Sequence, residues 1–148
     1  MTHNKNGGEL NDLQPADLVL ARCDAFRQHD FSFIFHSYHE DAPFLQAFAD
    51  CRDYLEYAAQ ALKGSFRIND CRIGRVREVA DDEVQVLFFM EIDCDGVIHR
   101  TIEMACLKLT AQGWRYHSAA KRPLEDFDSP LEDIDFDEFL DCATLVFF

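Results

Sequence analysis

Two textures divide the chain. Through residue 64 the apolar side chains recur with helical spacing, and from residue 66 to 119 they alternate with period two. Residues 1–12 are polar and read as a flexible leader. Pro15 suits a first helical position, and Leu18, Ala21, Cys23, Ala25 and Phe26 form an apolar stripe through a helix that ends near His29. Asp30 caps a second, short helix whose Phe31, Ile34, Phe35 and Tyr38 fall at i, i+3, i+4 and i+7, on one face. The run Phe44 to Phe48, after Glu40-Asp41-Ala42-Pro43, fits either a short strand or the lead-in to a helix. Asp50 caps a third helix carrying Tyr54, Leu55, Ala58, Ala59 and Leu62, which Gly64 ends.

Four segments rich in Val, Ile, Phe and Thr follow: Phe66 to Val79, Glu83 to Asp93, Val97 to Leu109 and Trp114 to Ala119. Turns separate them at Asp81-Asp82, Asp95-Gly96 and Gln112-Gly113. Asp-Gly is a two-residue hairpin signal, and it pairs Cys94 with Val97, Ile92 with His99, Glu91 with Arg100, Met90 with Thr101 and Phe88 with Glu103. That register sets Glu91 opposite Arg100, a favourable cross-strand pair. One face then carries Val84, Val86, Phe88, Met90 and Ile92, the other Leu87, Phe89, Ile102 and Met104. Both faces are too apolar to be left in water, so helices are expected over one and a partner or the C-terminal segment over the other. Helices followed by an antiparallel sheet make an α+β fold.

The chain has 148 residues, 48% of them apolar and 14 of them Phe, enough for one domain with a proper core. A net charge of −14 speaks against nucleic acid and anionic membranes as partners. The charge is uneven: Glu125 to Asp141 holds nine of the 28 acidic residues and no Lys or Arg. Between these acids lie Leu131, Ile134, Phe136, Phe139 and Leu140, and the chain ends Leu145-Val146-Phe147-Phe148. Such a tail is expected to dock on the domain rather than remain exposed. With no signal peptide and no membrane-length apolar run, the expected location is cytoplasmic. Six cysteines stand no closer than twelve positions apart, which fits reduced thiols better than disulfides or a zinc site.

The order of elements, with Leu18 to Phe26 (LVLARCDAF), Tyr38-His39, Glu103, and Trp114 with Tyr116, resembles the nuclear transport factor 2-like (cystatin-like cone) superfamily. Within it the chain resembles the YchJ-like domain found beside SEC-C motifs. It departs from that pattern in lacking the Cys-rich zinc motif and in having Glu40 where Pro is usual. The resemblance implies a bent sheet wrapped around a long helix, with a pocket at the open end. The likeness spans about residues 15–120; residues 13–122 are therefore expected to form the domain, with 123–148, which has no counterpart in the family, as an acidic extension docked on it. The resemblance also implies a homodimer through the outer sheet face. No reaction follows from it, since members of the superfamily include dehydratases, isomerases and polyketide cyclases as well as non-catalytic binding proteins.

Cone-fold enzymes use a carboxylate or His as general base beside a Tyr or second acid in an apolar pocket. The residue types that could serve are His36, Tyr38, His39, Tyr54, His99, Glu103 and His117, and a catalytic reading rests on His39 and Glu103. Each has an ordinary alternative. His39 is a helix-end histidine, Glu103 a carboxylate paired with Arg22 or Arg72 or placed at an exposed edge, and His117 a solvent-facing residue opposite in parity to Trp114 and Tyr116. A ligand is expected to meet Phe35, Tyr38, Tyr54, Phe88, Met90, Ile92 and Trp114. Asp133, Asp135 and Asp137 have calcium-loop spacing, but Glu138 stands where that loop needs Gly and Thr144 where it needs Glu. No metal and no cofactor is expected. The leading expectation is a domain that binds a small apolar or amphipathic ligand, or a protein partner, without strong catalysis. The alternative is a cofactor-independent dehydratase or isomerase. Thiol titration of freshly purified, unfolded protein under non-reducing conditions should count six thiols; two or fewer would contradict a reducing compartment.

Overall fold

The computed structural model describes residues 8–62, 64, 66–141 and 146–147. Its helices are α1 (Gly8–Asp12), α2 (Pro15–Arg27), α3 (Phe31–Ser37) and α4 (Cys51–Ala61), with a 3-10 helix at Pro43–Ala47. The strands are β1 (Phe66–Ala80), β2 (Glu83–Cys94), β3 (Val97–Thr110) and β4 (Gly113–Pro123). After them come 3-10 turns at Leu124–Asp126 and Leu131–Asp133, α5 (Phe136–Asp141) and β5 (Val146–Phe147). The strands form one antiparallel sheet in the order β1-β2-β3-β4-β5.

Local chemistry sets these boundaries. The Asp30 carboxylate accepts a hydrogen bond from Phe33 N at 3.2 Å and Asp50 from Asp53 N at 2.9 Å, capping α3 and α4. Each cap contributes about 1 kcal/mol. His29 takes a left-handed conformation (φ 58°) at the sharp join between α2 and α3. Pro43 opens the 3-10 helix that the ambiguous Phe44–Phe48 run becomes. In the β2–β3 hairpin, Asp95 (φ 53°) and Gly96 (φ 90°) both have positive φ, as the tight turn requires, and Asp93 Oδ1 accepts from Gly96 N at 2.7 Å. The register is the one that Asp95-Gly96 predicts, from Cys94↔Val97 to Glu83↔Lys108. Arg100 and Glu91 meet at 2.9 Å. Register shifts in β1 between Ile68 and Asp70, Ile73 and Arg75, and Glu78 and Ala80 bend the sheet, as bulges do.

The leader is not flexible throughout. Over Gly8–Asp12 it is helix α1, and Leu10 is buried in the main core. The docking is close: a Cβ on Gly113 would lie 2.5 Å from the Asn11 carbonyl oxygen, so α1 rests where only glycine leaves room. Residues 1–7 lie outside the described residues.

Two clusters make the core. Val84, Val86, Phe88, Met90, Ala105 and Leu107 face the helices, where they pack with Leu18, Val19, Cys23, Ile34, Tyr54 and Ala58. On the other face Leu87, Phe89, Ile102 and Met104 pack against Phe127, Ile134, Phe136 and Phe139. The occupant of the outer face is therefore the chain's own C-terminal segment, on the surface where the family resemblance implies a homodimer. β1 fastens it: Arg75 Nε donates to the Ile134 carbonyl at 3.0 Å, and the Arg77 guanidinium lies 4.3 Å from the Phe136 ring centre. Leu145 and the Phe147 side chain lie outside the described residues, but the Val146–Phe147 backbone pairs with Ala120 and Lys121 of β4. Among the described residues no helix is long and apolar enough to cross a membrane. Cys23, Cys51, Cys71, Cys94 and Cys106 are free thiols.

Phe139 is fully buried, so Phe139→Ala should cost about 3–5 kcal/mol in urea unfolding. Truncation after Phe127 should lower the melting temperature and drive self-association in size-exclusion chromatography. An unchanged melting temperature and elution volume would show that the tail does not stabilise the domain.

Candidate functional site

The interior of the cone is organised by a buried cation. Arg22 projects from α2, is 6% exposed, and has its guanidinium carbon 3.9 Å from the ring centre of Tyr116 and 4.5 Å from that of Tyr38. It also donates to the Ser37 hydroxyl, which in turn donates to the Ile34 carbonyl at 2.7 Å. Two ring faces and a hydroxyl thus replace the water that the charge has lost. Burial pushes the Tyr54 and Tyr116 hydroxyls up, despite nearby Arg22, so both stay protonated at neutral pH.

Glu103 stands on the same concave face, opposite Phe88 on β2 and Lys121 on β4. It is 6% exposed, and its Oε2 accepts from the Thr101 hydroxyl at 3.0 Å. Burial raises its carboxyl above the ordinary value; the Thr101 hydrogen bond, Lys121 and Arg22 oppose that rise.

His39 does not join it. The segment after α3 runs beside β4 through a parallel bridge between Tyr38 and Tyr116, and His39 N donates to the Tyr116 carbonyl at 2.9 Å. Extended backbone alternates its side chains. Tyr38 therefore turns inward onto Arg22, and His39 turns outward to face His117, with ring centres 5.8 Å apart. His39 Nδ1 accepts from Asp41 N at 3.0 Å. His117 is lowered by desolvation, then by Lys108 and His39. Nearby, the Cys106 thiol donates to Glu83 at 3.2 Å and is pushed up to about 12 by burial and by that carboxylate. His99 is exposed at the far end of the sheet. Among the described residues no group of three or more His, Cys, Asp or Glu could hold a metal ion.

The expected ligand-contacting residues also divide. Tyr54, Phe88 and Met90 are buried in the core, and Ile92 and Trp114 pack against it half-buried. Phe35 and Tyr38 open onto a cleft. This recess, about 910 Å³ in volume, lies between α1, α3, the 3-10 helix and the β3–β4 turn. Leu10, Phe33, Phe35 and Leu45 give it apolar walls, and its polar groups include Asn11, His36, Glu40, Gln112 and Arg115. His36 Nδ1 donates to the Ser32 carbonyl at 2.8 Å, which leaves Nε2 as its accepting nitrogen. Arg115, 8% exposed, donates to Asn11 Oδ1 at 2.6 Å and to the Trp114 carbonyl at 2.8 Å.

Sequence reasoning missed the roles of Arg22 and Arg115. Arg22 carried a usable signal, a charge four positions after Leu18 on a core-facing helix stripe. Arg115 carried none, because its surroundings depend on α1.

An α-helical layer in the concave face of a curved antiparallel sheet is the cone fold of nuclear transport factor 2-like proteins. A ketosteroid isomerase-like protein from Erwinia carotovora atroseptica SCRI1043 shares it, with a TM-score of 0.54 over 76% of this chain and 92% of that one; at 17% identity the likeness is one of fold. The family model for the YchJ middle domain, NTF2-like, matches residues 14–119, and the chain belongs to that family. No curated protein matches the chain.

The raised carboxyl of Glu103 sets a pH dependence. Between the ordinary value of 4.5 and its higher folded value, the unfolded chain releases this proton first, so stability falls as pH rises through that interval. Glu103→Gln removes this contribution, and in urea unfolding the variant should gain on the wild type as pH climbs above 4.5. Parallel profiles would mean that Glu103 is not desolvated.

Proposed function

We propose that this domain is a binding module that holds a small amphipathic ligand in the cleft between α3 and the β3–β4 turn, without acid–base catalysis. The observation that carries this reading is the cleft itself: open to solvent, walled by Leu10, Phe33, Phe35 and Leu45, and edged by a few polar groups. Its volume of about 910 Å³ is in the range of small-molecule sites. Of the acid–base residue types that line it, His36 is engaged with the Ser32 carbonyl, and among the described residues no hydrogen bond links it to Glu40. A cytoplasmic setting accompanies this reading, with the cysteines as reduced thiols.

A second reading, a cofactor-independent isomerase or dehydratase, draws on the raised carboxyl of Glu103 on a face it shares with Tyr116. Against it, Glu103 does not line this cleft, and its expected partner His39 turns to the opposite side of β4. The binding reading therefore stands first.

Titration with the neutral fluorophore N-phenyl-1-naphthylamine tests it. Saturable binding at one site is expected, and Leu45→Arg should weaken it at least tenfold, about 1.4 kcal/mol. No saturable binding, or an indifferent Leu45→Arg variant, contradicts the proposal.

A further inference from the structure

We infer that the cleft recognises an amphipathic anion, with Arg115 gripping its carboxylate or sulfate group while the apolar walls take its body. The inference rests on the reading of the cleft as a ligand site and names the ligand's chemical class.

Three arginines are buried among the described residues: Arg22, Arg115 and Arg122. Burying a cation is costly unless something offsets the lost water. Arg22 lies between the ring faces of Tyr38 and Tyr116. Arg122 pairs with Asp126 at 3.0 Å. Arg115 has neither kind of compensation. Its hydrogen bonds end on two neutral oxygens, the Asn11 side-chain carbonyl and the Trp114 backbone carbonyl, and no ion pair or ring contact involves it among the described residues. This occurs in a chain with 28 acidic residues to 14 basic ones, where carboxylates are plentiful. Residues 1–7, which precede α1, contain no Asp or Glu. Glu40, also at the cleft, is exposed and makes no ion pair with Arg115.

A guanidinium has five N–H donors, and two of these are engaged. Arg115 is one of the residues that line the cleft, and its Nε is not among the buried side-chain atoms left without a partner. Asn11 and the Trp114 carbonyl hold the group in place, so its planar fork is set for a two-pronged grip on a carboxylate or sulfate. Desolvation already disfavours the charged guanidinium, and an arriving anion would relieve that cost. Leu10, Phe33, Phe35 and Leu45 supply the apolar contact that makes an amphipath a better ligand than a bare anion.

Displacement of bound N-phenyl-1-naphthylamine by decanoate, decanol and decylamine at pH 8 tests the inference. Decanoate should displace the probe at a concentration at least tenfold below that of decanol, with decylamine weakest. Arg115→Gln, with its folding checked by circular dichroism, should bring decanoate and decanol together, and Arg115→Lys should keep part of the gap. The wild-type comparison stands even if a variant fails to fold. Equal displacement by decanoate and decanol, or preference for decylamine, overturns the anion inference while leaving the cleft as a ligand site. Failure of the probe to bind at all removes both.

Discussion

The Arg22 guanidinium, held inside the cone with no paired carboxylate among the described residues, constrains the structure around it. Two aromatic faces and the Ser37 hydroxyl stand in for water, and a desolvated cation–π contact is worth on the order of 2 kcal/mol. To supply its ring, Tyr38 must leave the end of α3 and lie along β4 opposite Tyr116, which makes the bridge between the two segments. That bridge has two consequences. Parity sends His39 to the outer side, away from Glu103. The Tyr38 ring, which lies over Arg22, also lines the recess between α3 and the β3–β4 turn.

A second constraint acts on the opposite face of the sheet. Leu87, Phe89, Ile102 and Met104 form an apolar surface that needs a cover, and the C-terminal segment supplies Ile134, Phe136 and Phe139. Arginines of β1 help to place it, Arg75 through the Ile134 and Glu132 carbonyls and Arg77 over the Phe136 ring. β1 carries Arg72, Arg75 and Arg77, and the segment that lies against it is the most acidic part of the chain. Gly74 belongs to the same contact: a Cβ there would come within 3.2 Å of Leu131 and 3.3 Å of the Leu87 carbonyl.

Much of the fold was legible because local chemistry and tertiary packing agree. Asp95-Gly96 demands positive φ at two successive residues, which fixes the hairpin register and with it the membership of both sheet faces. Asp30 and Asp50 announce α3 and α4 by their caps. The run Phe44–Phe48 stayed ambiguous because five residues are too few to distinguish periods. Helix α1 was invisible, since its single deeply buried side chain, Leu10, and its seat on Gly113 are long-range contacts. The site was harder to read for the same reason. Period-two logic places Glu103 correctly on the concave face, yet it cannot reveal that Tyr38 bridges to Tyr116 beside β4. The pairing of His39 with Glu103 failed at that bridge, and the setting of Arg115 depends on Asn11, 104 positions away.

The proposed ligand site is the outer cleft and not the interior of the cone. Nuclear magnetic resonance spectra of the labelled protein, recorded during titration with N-phenyl-1-naphthylamine, locate the contact directly. Resonances of Phe33, Phe35, Leu45 and Gln112 are expected to move while those of Phe88, Met90 and Glu103 stay fixed. The largest shifts at Phe88, Met90 and Glu103 would mean that the Arg22 stack opens and that the ligand site is the cone interior.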